Sequence, residues 1–111
     1  MAMAQFEERE DRMLFAVSWT IRVNATEERD RRTLKLFTAW KPPAGFDFKG
    51  FYDYADGSGG VALVETSSAE IMLEALGHWA TFFEFTVRPV VPTEKSTPIF
   101  EKTMAWRDSV R

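Results

Sequence analysis

Residues 56–60 read Asp-Gly-Ser-Gly-Gly and separate two runs rich in aromatic and aliphatic side chains, "FDFKGFYDY" over 46–54 and "GVALVE" over 60–65. Glycine readily adopts the positive-φ conformations that a tight reversal needs, so the two runs are expected to be strands of one hairpin. A phosphate-cradling loop would need a helix directly after the glycines and a Lys-Ser/Thr pair. The chain has neither at this point. Asp53 and Asp56 alone offer too few oxygens for calcium. The glycine cluster therefore reads as a bend.

Helical and strand-like stretches enclose this hairpin. "MLFAVSWTIR", 13–22, is a strand by its β-branched and aromatic content. "NATEERDRRTLKLFTAW", 24–40, is a helix, with Asn24 as N-cap and Glu27 reaching back to it. Its first half is almost wholly charged, and its apolar side is confined to Leu34, Phe37 and Trp40, with Leu36 near the edge. "SSAEIMLEALGHWATF", 67–82, is a second helix, with Ser67 and Glu70 as a capping box. Met72, Ala75, Leu76 and Trp79 form its apolar stripe. "FEFTVRPVV", 83–91, is the last strand. A charged tail, 1–12, and a polar extension, 93–111, with a short helix carrying Phe100 and Met104, flank one domain at 13–92. The order β-α-β-β-α-β implies an α+β fold of the ferredoxin-like, split βαβ type. Such a fold has a four-stranded antiparallel sheet with two helices on one face.

Side-chain size suggests how the sheet faces divide. Phe15, Val17, Trp19, Val61, Leu63, Phe83, Phe85 and Val87 are expected under the helices. The opposite parity carries Leu14, Ala16, Ala62 and Val64. An apolar patch there would mark an interface, and a second copy of the chain can cover it by two-fold symmetry.

Three separated segments, "MLFAVSWTI", "GSGGVALVETSSAE" and "HWATFFEFTVRPVV", resemble a family of small, uncharacterised prokaryotic proteins in the dimeric α+β barrel superfamily. The resemblance spans residues 13–92 and implies the fold and a homodimer. It brings no established activity. The wider superfamily includes small monooxygenases, haem-degrading enzymes, isomerases and ligand-binding regulatory domains. In the haem-degrading relatives a helix histidine ligates iron, helped by an Asn on the first strand. His78 and Trp79 are present here, but residues 13–20 contain no Asn. No cofactor and no metal site is expected.

Composition narrows the remaining classes. The chain holds ten Phe, four Trp and two Tyr, enough rings to build an aromatic cleft between sheet and helices. Trp19, Tyr52, Glu65, His78 and Trp79 are its expected lining. Glu65 or His78 would be the proton-moving group if there is catalysis. The blander alternatives are a strand-end carboxylate reaching water and a helix histidine that packs or caps. His78 is the single histidine, so no nucleophile-base-acid set can be completed. A net charge of −3 gives no nucleic-acid footprint, and "RDRR", 29–32, lies among acids as a solvated helix face. The chain has no cysteine, which rules out disulfides and thiolate zinc sites. No apolar run nears the roughly 18 residues of a membrane span, and the N-terminus lacks the apolar region of a signal peptide. A cytoplasmic location is expected. The reading that fits best is a dimer binding a small, mostly apolar or aromatic molecule. A cofactor-independent monooxygenase or isomerase, and a structural partner with a filled cleft, are the alternatives.

Overall fold

The computed structural model describes residues 12–22 and 26–111. In chain order the elements are β1 (Met13–Ile21), α1 (Glu27–Ala39), β2 (Asp47–Asp53), β3 (Gly59–Thr66), α2 (Ala69–Gly77), β4 (Phe83–Val90) and α3 (Thr93–Ser109). The strands form one sheet in the order β2-β3-β1-β4, and every neighbouring pair is antiparallel. This is the expected β-α-β-β-α-β order, followed by a third helix of 17 residues. None of the described helices is long and apolar enough to cross a membrane.

The helix caps differ from expectation by small shifts. Asn24 lies outside the described residues. The hydroxyl of Thr26 caps α1, accepting from the Arg29 N–H at 3.2 Å. Ser68, rather than Ser67, caps α2 and accepts from the Ile71 N–H at 3.2 Å. Each hydroxyl satisfies an N–H that the first turn leaves free. The expected second helix also stops early, at Gly77, and residues 78–82 turn into β4.

Pairing between β1 and β3 sets the faces. Val17 stands opposite Ala62, Phe15 opposite Val64 and Trp19 opposite Gly60. Directly opposed residues share a face. Val17, Ala62 and Val64 are the floor of a core completed by Phe46, Met72 and Ala75. Ala62 and Val64 therefore lie under the helices, at 1% and 0% exposure, and cannot join an outer interface. Val61, Leu63 and Glu65 point the other way, beside Leu14 and Ala16. The size-based sorting of β3 is inverted, because that strand is apolar on both sides. Alternation then offers two self-consistent sets, and only cross-strand register chooses.

A bulge in β2 makes a second correction. Phe48 pairs with Val64 and Gly50 with Leu63, leaving Lys49 as the extra residue. Parity switches there. Phe48 and Phe51 both face the helices and stack at 4.6 Å with 9° between ring planes. Tyr52, opposite Val61, is sent to the outer face at 63% exposure.

The glycine turn is more than a bend. Gly57 has φ 76°, a left-handed position suited to glycine. At Gly60 the need is space: a Cβ would collide with the Trp19 ring and the Tyr52 carbonyl. The hairpin glycines thus let the Trp19 indole lie across the strand pair. Gly60→Ala should lower stability by about 1–3 kcal/mol, as overpacking does. Gly77→Ala, where an added Cβ meets nothing, should raise it by about 0.4–1 kcal/mol. Urea unfolding of both variants checks the contrast.

Asp56 closes the same turn. Its Oδ1 accepts from the Ser58 N–H at 3.0 Å and the Ser58 hydroxyl at 2.7 Å. These bonds, the backbone one first, hold its carboxyl below the ordinary value. The turn is therefore best held above about pH 4, and that contribution is lost as pH falls through the lowered folded value. In Ser58→Ala the Asp56 titration, followed by NMR, should move upward.

Candidate ligand cleft

The weakly apolar helix creates the site. None of the α1 residues is buried. Leu34 and Phe37 point toward the sheet yet stay 68% and 47% exposed. A helix whose first half is charged has little to press into a core. It stands off, and a cleft of about 570 Å³ opens between it and the sheet.

Val17, Trp19, Ala62, Val64 and Phe85 line the cleft from the sheet's inner face. Phe48 and Phe51 of β2 wall one side, and Leu34 and Phe37 of α1 line it from the helix. The rings brace one another. Trp19 meets Phe51 edge-on at 5.5 Å, and Phe37 lies 5.9 Å from Phe51 and 6.0 Å from Trp79. Trp40 meets Trp79 edge-on at 5.3 Å. Such tilted contacts add to plain burial and hold each ring's orientation. The polar part of the lining includes Arg22, Arg29, Asp30, Thr33 and Asp53.

Two of the five sequence-derived site residues, Trp19 and Trp79, come together here. The other three do not line the cleft. Tyr52 is on the outer face, as above. Glu65 is there too, where Arg12 Nε lies 3.5 Å and Lys49 Nζ 3.9 Å from its carboxylate. Arg12 also bonds the Glu65 carbonyl at 3.0 Å and pairs with Asp47. This carboxylate ties β2 to β3 and to the start of β1. His78 caps the end of α2, and its Nδ1 accepts from Trp40 Nε1 at 3.0 Å. It steers a lining ring without reaching the cavity.

Among the described residues, therefore, no imidazole and no glutamate lines the cleft. Among the described residues, no three His, Cys, Asp or Glu side chains gather as a metal site would require. What the arrangement offers is shape, apolar surface and a charged rim.

Reading the sequence missed Arg29, Phe37 and Phe51. A signal for the first two exists: Arg29, Thr33 and Phe37 are spaced by four and share one helix face. Arg31 is on another face, paired with Glu27 at 3.4 Å in water. Phe51 was hidden by the Lys49 bulge, which no spacing announces.

The chain matches the family model of a domain of unknown function, DUF3303, over residues 13–104. It belongs to that family. The match runs past β4 into α3. Comparison with curated proteins and with solved structures finds no match.

Proposed function

We propose that this protein binds a small, mostly apolar molecule in the cleft between the sheet and α1. The observation that supports it most is the cleft itself, about 570 Å³ walled by rings and left open by its own helix. That volume lies in the range of small-molecule sites, which are mostly apolar with a few placed polar groups. The proton-transfer alternative loses support, since Glu65 and His78 do not line the cleft. Leu34→Asp wets the cleft at an exposed helix position and should leave stability within about 0.5 kcal/mol. It should weaken any ligand found by thermal-shift screening of small aromatics, and Trp19→Ala should abolish the ligand-induced shift. Arg31→Ala should change nothing. Equal responses from all three variants would sink the cleft as a binding site.

The same reading includes a homodimer of the α+β barrel type, joined through the outer sheet face. Leu14 and Ala16 of β1 and Val61 and Leu63 of β3 make that face apolar at its centre. The third helix adds a second uncovered surface: Ile99, Phe100, Met104 and Trp106 are 46–67% exposed. Phe and Trp side chains each offer about 150–250 Å². Face and helix together can supply the roughly 800 Å² per partner of a stable interface. Leu63→Asp should give a folded monomer, because a charge buried there would lack a partner. Ala62→Asp, one residue away but in the core, should unfold the chain. Truncation after Pro92 should weaken the dimer more than the fold. Sedimentation with circular dichroism separates these results, and a wild-type monomer at micromolar concentration would refute the assembly.

A further inference from the structure

We propose that the charged rim is a carboxylate-binding site, so that the cleft selects apolar carboxylic acids, aromatic or aliphatic, over neutral or cationic analogues. This rests on the cleft being a ligand site, as proposed above.

The rim is built by two arginines from different elements. Arg22 follows β1, and its Nε donates to the Ala80 carbonyl at 2.8 Å. Arg29 is in the first turns of α1, and its Nη2 donates to the Thr81 carbonyl at 2.8 Å. Successive carbonyls of the 78–82 turn thus hold both guanidinium groups, and both side chains line the one cleft. The Arg29 guanidinium also lies 5.5 Å over the Phe82 ring. Carbonyls and a ring face orient a cation without neutralising it. Among the described residues no carboxylate pairs with Arg29. The one carboxylate among them that meets Arg22 is Glu84, at 3.4 Å on the exposed side, a contact of little worth in water. Each guanidinium has five N–H donors in a fixed fork, so several remain for a ligand.

Asp30 and Asp53 share the rim and set the competing polarity. Both are exposed, and among the described residues neither carboxylate accepts a hydrogen bond or joins an ion pair. Their charges act through high-dielectric water and are readily screened. The arginines are already immobilised, so less ordering entropy is lost when they bind. Fixed donors beside an apolar cavity match a ligand with an apolar body and one anionic end.

Calorimetric titration of the full chain tests this with 2-naphthoate and decanoate, each beside its alcohol and its amine. The acids should bind at least ten-fold tighter than their alcohols, and the advantage should shrink in 0.5 M salt. In Arg29→Met the acid-to-alcohol ratio should fall toward one. Arg22→Met should reduce it as well. The ratio is taken within one variant, so a general loss of stability does not mimic the effect. Acids and alcohols binding alike would overturn the carboxylate site and leave the cleft standing. Amines binding tightest would overturn it in favour of Asp30 and Asp53. No binding by any of the six, with no thermal shift, would remove the cleft reading along with it.

Discussion

The antiparallel pairing of β1 with β3 is the constraint on which the rest depends. These are the two inner strands of the sheet, and their register decides which side chains meet the helices. With Val17 opposite Ala62, small and branched residues form a flat floor beneath Met72 and Ala75. Val61 and Leu63 go outward. A slip of one residue would move every β3 side chain to the other face. The core, the outer apolar face and the floor of the cleft all follow from this single alignment. Gly60 contributes at its end, since only a residue without a side chain lets Trp19 cross there.

The second determinant is a helix that does not close. Seating Leu34 and Phe37 fully would gain about 1.5–3 kcal/mol each from burial. The neighbouring charges resist it, because Arg29 and Asp30 would lose water on the same side. The helix is therefore anchored through its ends. Arg29 reaches the Thr81 carbonyl near one end, and Trp40 at the other bonds His78 and packs on Trp79. Between these ties the cleft stays open. An aromatic composition that usually fills a core here lines a cavity instead.

The two sheet faces also separate two kinds of chemistry. The inner face gathers rings and, at its rim, two tethered arginines. The outer face combines a small apolar centre with an ion-pair cluster of Arg12, Asp47, Lys49 and Glu65. Glu65 belongs to that structural cluster and His78 to the support of Trp40. Each has a partner that accounts for its position.

The order of elements, the hairpin at the glycines, the apolar stripe of α2 and the poverty of α1 were all legible in the chain. Each depends on contacts between near neighbours along it, and local periodicity reports those directly. Trp19 and Trp79 were legible as lining residues for the same reason: Trp19 lies on the inner parity of β1, and Trp79 continues the spacing of the α2 stripe into the turn that follows it. Tertiary structure decided the rest. Ala62 and Val64 exchanged faces with Val61 and Leu63 because register is a relation between strands 45 residues or so apart. Tyr52 left the cleft and Phe51 entered it because one bulged residue, Lys49, reversed the parity after it. Arg29 changed from a solvated charge to a rim donor because its partner carbonyl, at Thr81, is 52 positions away. Alternation along a strand fixes which residues lie together, but only pairing across the sheet fixes what they face.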